Sequence, residues 1–355
     1  MKPTPHESEV HDGRAGHPRV RLMRAPTAIE HCPRLTAAVG GAEIWVKRDD
    51  ETGLAFGGNK VRQLEYYLGA ALAEDADTLL ITGAVQSNFV RLAAAAAARL
   101  GLTCHVQLEA RVATDDPAYH ASGNVLLDHL LGATVHTYPD GEDEAGADAQ
   151  LARIAEDLRA KGARPYVIPL APGHPPLGAL GYIDAAEEII SQCRLQTDIP
   201  DAFDEIVVGS GSGATHGGLL YGLRCYAVKT PVHGACVRRA SALQTPRIIS
   251  RLDEIATLCA EANPATADDV TTDDSFLAPG YGKASADVVD AISTAARTEA
   301  LICDPTYMGK VMAVALSRAR NLGAGARLLV IHTGGTPGLF ANPDLIDRRA
   351  APPAQ

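Results

Sequence analysis

Glu205-Ile206-Val207-Val208-Gly209-Ser210-Gly211-Ser212-Gly213-Ala214-Thr215 sets an apolar run of strand length against alternating glycines, with a helix pattern starting at Thr215. A strand that is apolar at successive positions is covered on both faces, the habit of parallel sheets flanked by helices. The glycines let backbone N–H groups converge on an anion, Ser212 and Thr215 add hydroxyl donors, and the helix start adds a favourable dipole. A plain tight turn is the simpler reading of the same residues. Gly209, Gly211 and Ala214 also satisfy the dinucleotide pattern G-x-G-x-x-A. The acid expected about twenty residues later for a ribose hydroxyl is missing around His233 to Ala235, which leaves Arg238 and Arg239 to serve a 2′-phosphate variant.

The same strand, loop and helix rhythm runs along the chain. Strands are predicted at Ala42 to Val46, Thr78 to Thr82, Thr103 to Leu108, Ala133 to Tyr138, Pro165 to Leu170, Val232 to Val237 and Arg327 to Ile331. Helices are predicted from Lys60, through Val61, Leu64, Leu68 and Leu72, and over Ala93 to Leu100, Asn124 to Leu131, Ala147 to Ala160, Leu180 to Ser191, Thr215 to Tyr226 and Lys310 to Ala319. This alternation implies parallel sheets covered on both faces. The Pro/Gly cluster Ala171 to Pro176 marks a crossing between two units. Residues 1–24 read as a poorly ordered lead-in, Ala260 to Ser285 as a long loop, and the tail from Asp344 as dispensable.

With 355 residues, 46% of them hydrophobic, the chain can bury a large core and divide into two domains. A net charge of -11 argues against nucleic acid or an anionic membrane as the main partner and favours a small molecule. Seven cysteines without a C-x-x-C pair fit neither a disulfide framework nor a metal site, so no metal is expected and the thiols read as cytoplasmic. No apolar leader or membrane-length segment appears.

Gly57-Gly58-Asn59-Lys60 places an amine on a glycine loop where a helix begins. A cation is the wrong charge for a helix N-terminus, and neutralising it as a Schiff base is one reason to put it there. A solvated loop lysine is the alternative. Gln86-Ser87-Asn88 follows a strand and reads first as a helix cap, and His332-Thr333-Gly334-Gly335 ends a strand at the carboxyl edge of the sheet, where α/β proteins bind ligands. A reactive lysine combined with a phosphate cradle points to pyridoxal 5′-phosphate. An NAD(P)-binding oxidoreductase and a silent ligand-binding protein are the readings from other classes.

Val46 to Asp50, Gly57 to Lys60, Gln86 to Asn88, Gly211 to Thr215, Pro279-Gly280-Tyr281-Gly282, Asp304-Pro305-Thr306-Tyr307 and His332 to Gly335, in this order, resemble the D-cysteine desulfhydrase and 1-aminocyclopropane-1-carboxylate deaminase family from about Arg24 to Ala341. The resemblance implies the α/β fold of tryptophan-synthase-β-like enzymes (PLP fold type II), with two parallel-sheet domains, the smaller inserted in the larger. The expected division is 1–63 with 174–355 for the large domain and 64–173 for the small one. It further implies that Lys60 is the Schiff-base lysine, that Asn88 bonds the ring oxygen, and that Gly211, Ser212, Gly213, Ala214 and Thr215 hold the phosphate. Thr333 would face the pyridine nitrogen, Tyr281 and Tyr307 would line the substrate, and Ser87 would reach its carboxylate. A homodimer is expected. Two departures stand out. Phe89 replaces the usual histidine after Ser-Asn, and Met308 stands where the ring-opening deaminases carry a glutamate. A thioether cannot stabilise a pyridinium, which favours α,β-elimination, from D-cysteine first and L-cysteate next, over ring opening.

Overall fold

In chain order the strands are β1 (Val10–Asp12), β2 (Pro18–Val20), β3 (Ile29–His31), β4 (Glu43–Lys47), β5 (Thr78–Ala84), β6 (Thr103–Glu109), β7 (Thr134–Tyr138), β8 (Pro165–Ile168), β9 (Glu205–Ser210), β10 (Val232–Cys236), β11 (Val270–Asp273) and β12 (Arg327–Ile331). The helices are α1 (Pro33–Val39), α2 (Lys60–Ala73), α3 (Asn88–Leu100), α4 (Pro117–Ala121), α5 (Gly123–Leu130), α6 (Glu144–Ala160), α7 (Leu177–Leu195), α8 (Ala214–Cys225), α9 (Ser241–Cys259), α10 (Ala286–Glu299), α11 (Met308–Leu322) and α12 (Thr336–Phe340). This computed structural model describes residues 10–169 and 174–345.

Two sheets carry the site. One has six strands in the order β11-β10-β9-β12-β4-β3, all neighbours parallel except β3 with β4. The other has four parallel strands in the order β7-β6-β5-β8. Their strands are apolar because both faces are covered. Ile206 and Val208 point into a core with α7, α8 and α9, whereas Val207, one residue out of phase, joins the core with α1, α10 and α11. In the smaller sheet Leu79 and Ile81 meet α2 and α3, and Leu80 meets Leu151 and Ala155 of α6.

Three sequence readings need correction. Within the supposed lead-in, β1 and β2 form an antiparallel pair; Val20, Leu22 and Met23 are buried, and the backbone N–H groups of Leu22 and Met23 donate to Glu65 on α2 at 2.8 and 3.0 Å. The polar pairings of Arg14 and Arg19 with Asp184, each at 2.8 Å, disguise this packed segment as solvated chain. The supposed long loop 260–285 contains β11, an edge strand built on Val270-Thr271-Thr272 and flanked by α9 and α10, helices that were not foreseen. The helix expected from Ala93 starts five residues earlier, at Asn88. The crossing at Ala171 to Pro176 falls partly on 170–173, and the tail beyond 345 entirely, outside the described residues.

Helix α2 is fixed over the sheet end by a buried ion network. Arg62 donates to Asp49 at 2.8 and 2.9 Å and to Glu188 at 2.9 Å, and Lys47 donates to Glu188 at 2.5 Å. Burial alone would raise the Asp49 carboxyl, and Arg62 with Lys47 more than reverses that. Close helix contact does the rest, because a Cβ on Gly181 of α7 would run into the backbone carbonyl of Arg62. Alanine normally gains about 1 kcal/mol over glycine inside a helix. Overpacking against a backbone that cannot move alone costs about 1–3 kcal/mol and wins. Gly181→Ala should therefore lower the midpoint of urea unfolding, and a midpoint equal to or above wild type would refute the contact argument.

Candidate active site

The carboxyl ends of β5, β9, β10 and β12 open into one cleft of about 1000 Å³, its solvent-open mouth included. It is lined by Lys60, Ser87, Asn88, Gly211, Ser212, Gly213, Thr215, Tyr281, Tyr307 and Thr333, so ten of the residues singled out in sequence meet there. Ala214 lies just behind Ser212, on the wall of an adjoining smaller pocket.

Lys60 is the first residue of α2 and follows Gly57 and Gly58, whose φ values of 62° and 126° suit glycine. The loop is anchored from β12, because the Asn59 N–H donates to the Thr333 carbonyl at 3.1 Å. The half-buried Lys60 amine donates to Gln63 Oε1 at 3.2 Å and stands 5.1 Å from the centre of the Phe89 ring. Desolvation in the cleft floor brings its pKa from 10.5 down to about 8. Phe89, buried against Tyr67, gives this amine a ring face where a histidine would have brought a second titratable group.

Opposite Lys60, the loop 209–213 turns into α8 through Gly213 at φ 97°. Asn59 Nδ2 and Gln63 Nε2 both donate to Thr215 Oγ1, at 2.9 and 2.8 Å, so the hydroxyl proton of Thr215 is left to donate elsewhere. Ser87 caps α3, its Oγ accepting from Val90 N at 3.3 Å, as a strand-to-helix junction requires. Asn88 Oδ1 accepts from Arg91 at 3.4 Å and from Asn124 Nδ2 at 3.0 Å. Arg91 has no acceptor, so this pairing identifies the oxygen of Asn88 and leaves its Nδ2 as a free donor.

The wall carrying the tyrosines is held by buried charges. The Asp304 carboxylate accepts the backbone N–H groups of Thr306, Tyr307 and Met308, each at 3.0 Å, and its pKa rises to about 6 because burial outweighs those bonds. Lys310 donates to the carbonyls of Leu277 and Gly280 at 2.8 and 2.6 Å and so pins the loop that presents Tyr281. The two hydroxyls, Tyr281 and Tyr307, lie 2.5 Å apart, and desolvation holds both above the usual phenol range. Met308 is fully buried, with its Sδ 3.2 Å from the Thr333 backbone nitrogen and 3.4 Å from Thr333 Oγ1.

A family model described as pyridoxal-phosphate dependent enzyme matches residues 20–334. The chain belongs to the pyridoxal-phosphate-dependent enzymes. Curated relatives named D-cysteine desulfhydrase, from Salmonella choleraesuis (strain SC-B67) and Klebsiella pneumoniae subsp. pneumoniae, are 42% and 41% identical over 326 and 329 residues, covering 91% of this chain and 96% of theirs. A crystal structure of an ACC deaminase homologue superposes with a TM-score of 0.80 at 33% identity, covering 97% of this chain and 98% of that one. O-ureido-L-serine synthase shares the fold at 16% identity, with a TM-score of 0.64 over 91% of this chain and 94% of its own. Membership of this family sets aside the dinucleotide reading of Gly209 to Ala214. As a pyridoxal-phosphate-dependent enzyme, the chain presents residues that fit the cofactor. The free Thr215 proton, the unpaired first-turn amides of α8 and the glycine loop suit a phosphate, and the free Nδ2 of Asn88 suits a ring oxygen.

Sequence reasoning missed Asn59, Gln63, Asn124, Arg111, Glu144 and Arg247 as cleft or support residues. Gln63 was reachable, since it lies one helical turn from Lys60; Asn124 and Glu144 arrive from distant segments without a local signal. Among the described residues no cluster of His, Cys, Asp or Glu is arranged to hold a metal ion, and no helix is long and apolar enough to cross a membrane. Below about 8 the Lys60 amine is protonated and above it nucleophilic. Capture of the aldehyde of pyridoxal phosphate by the apoprotein should thus quicken with rising pH and level off above about 8, followed by absorbance. A rise that continues to pH 10.5, the ordinary lysine value, would contradict the desolvation argument.

Proposed function

We propose that this enzyme is a lyase that catalyses α,β-elimination on a small β-substituted amino acid, D-cysteine first, releasing sulfide, ammonia and pyruvate. The observation that carries this reading is the partly desolvated Lys60 amine facing the Thr215 hydroxyl across one cleft, beside a Thr333 whose neighbour is a thioether. The relatives named D-cysteine desulfhydrase support the choice of substrate. Bound in the cleft, the cofactor supplies an electron sink for the pair left when the Cα–H bond breaks.

The chain's own residues would do the rest. Lys60 would hold the cofactor and would move the proton at Cα, because its amine is available in the neutral form near pH 8. Ser87 and the first-turn amides of α3 bind the substrate carboxylate. Tyr307, kept neutral by desolvation and hydrogen-bonded to Tyr281, would be the second proton carrier. Asn88, Gly211 to Thr215 and Thr333 orient the cofactor. Met308 is a weak acceptor and leaves Thr333 without a charged partner, which suits expulsion of a good leaving group better than opening an unactivated ring.

We further propose a cytoplasmic homodimer. Its seven cysteines are free thiols, as a reducing compartment keeps them, which fractionation of source cells checks. Leu126 and Leu130, 57% and 76% exposed, lie on α5, which packs against α12 with its 65% exposed Phe340, and these apolar side chains would supply a contact for a second copy. Sedimentation should give twice the chain mass and a monomer after Leu130→Asp; a monomeric wild type would end the proposal.

The decisive assay offers D-cysteine, L-cysteine, L-cysteate, β-chloro-D-alanine and 1-aminocyclopropane-1-carboxylate and scores keto acid. β-Substituted alanines should yield pyruvate and the cyclopropane substrate no 2-oxobutanoate, while Lys60→Ala should abolish turnover on all. Turnover of the cyclopropane substrate alone, or an active Lys60→Ala variant, would overturn the reading.

A further inference from the structure

In the wall of the cleft four arginines converge from three parts of the chain: Arg111 after β6, Arg238 and Arg239 after β10, and Arg247 on α9. Arg111 is paired with Glu109 at 2.6 Å. The other three share the half-buried carboxylate of Glu144, the first residue of α6: Arg238 at 2.8 Å, Arg239 in direct contact and Arg247 at 3.8 Å. Arg238 also reaches Glu142 at 3.5 Å, but that carboxylate is 81% exposed and screened. The side chains are only 9%, 19% and 15% exposed for Arg238, Arg239 and Arg247. Burial and the neighbouring guanidinium groups pull Arg239 and Arg247 below the ordinary arginine range, the mark of positive charge that its one carboxylate does not balance.

The cleft therefore has three walls that favour anions. The 211–215 loop with the start of α8 suits the cofactor phosphate, and Ser87 with the start of α3 suits the substrate carboxylate. The arginine wall is left over, and a thiol substituent gives it nothing to bind. We propose that Arg111, Arg238, Arg239 and Arg247 form a second anion subsite, held shut in this structure by Glu144, which receives a sulfonate on the β-carbon of the substrate. This rests on the elimination reading above and enlarges its leaving groups from thiol to sulfonate. Arginine presents paired donors that match the planar oxygens of carboxylate and the oxygen triad of sulfonate, and Glu144 is displaced when the substrate's own anion arrives. The reaction balances as hydrolytic elimination. The Cα–H and Cβ–S bonds break, the C–S pair leaves with sulfur, and cysteate with one water gives pyruvate, ammonium and hydrogen sulfite, with no external oxidant or reductant.

Arg239 is the residue to test, because Arg238 still holds Glu144 when Arg239 is replaced, whereas removing Arg111 would strand the buried Glu109. The probes are both enantiomers of cysteate, β-chloroalanine of the same configuration, and methanesulfonate as a dead-end ligand, with the holoenzyme in each case. Methanesulfonate should compete with substrate and perturb the cofactor absorbance. Arg239→Gln should weaken its binding and lower the cysteate to chloroalanine ratio of kcat/KM by about tenfold, the scale of one charge-assisted hydrogen bond. Arg239→Lys should fall between, and Glu144→Gln should shift both readouts the opposite way. Methanesulfonate affinity unchanged across these variants, or a ratio that does not move, would overturn the subsite while chloroalanine turnover left the elimination reading standing. Loss of pyridoxal phosphate from Arg239→Gln with tight methanesulfonate binding retained would instead reassign the arginines to the cofactor and overturn the proposal. No elimination from any β-substituted alanine would sink the underlying reaction itself.

Discussion

The backbone of Gly58 passes so close to Thr333 and Gly334 that a Cβ on Gly334 would lie 2.8 Å from the Gly58 Cα. Everything in the cleft depends on that approach. Strands β4 and β12 are parallel neighbours, so the chain leaving β4 through Asp49 and the chain leaving β12 through His332 emerge side by side. Two glycines let the β4 exit turn in front of the β12 exit, and the Asn59 to Thr333 bond then fixes where Lys60 starts its helix. Strand β9, on the other side of β12, places the 209–213 loop opposite. The geometry of three strand ends is thus set by sheet order and by the absence of side chains at Gly58 and Gly334.

Three interior lysines differ in how many acceptors hold their amines. Lys47 has three acceptors, the Thr27 carbonyl at 2.6 Å, Glu188 at 2.5 Å and Gln192 at 2.6 Å, enough for all the donors of an ammonium. Lys310 has two carbonyls, at 2.8 and 2.6 Å. Lys60 has one neutral amide at 3.2 Å and a ring face. Burial lowers the pKa of all three, and brings Lys310 and Lys60 alike to about 8, so what sets Lys60 apart is that its amine lies half-buried in the cleft with donors to spare, whereas Lys310 is fully buried and spends two on carbonyls. Charged groups that build the site, Arg62, Asp49 and Asp304, are instead paired or backbone-bonded behind the wall.

Much of this was legible along the chain because it is local. The alternation of apolar strands with helices was readable at Thr78 to Thr82 and Glu205 to Val208, where runs without polar gaps can be buried only between layers. The loops following those strands carried their own chemistry in Ser87, Gly211 and Thr215. What failed was equally physical. Segment 10–23 hid its buried Val20, Leu22 and Met23 among arginines whose partners lie on α2 and α7. Strand β11 is short and polar at all but Val270, as an edge strand can be, and resembled loop.

The amino-acid order by itself determined the elements, the glycine turns and the residue types able to hold a phosphate and form a Schiff base, because periodicity, backbone freedom and side-chain chemistry are properties of neighbours in the chain. It could not determine that Gln63 and Asn59 both donate to Thr215, that Asn124 and Arg91 orient Asn88, or that Met308 lies against Thr333. Nor could it bring Glu144 from the first turn of α6 to three arginines about a hundred residues away. Those meetings are decided by which strands are neighbours and by how closely glycine-lined helices pack, quantities that exist only once the two sheets face one another across the cleft.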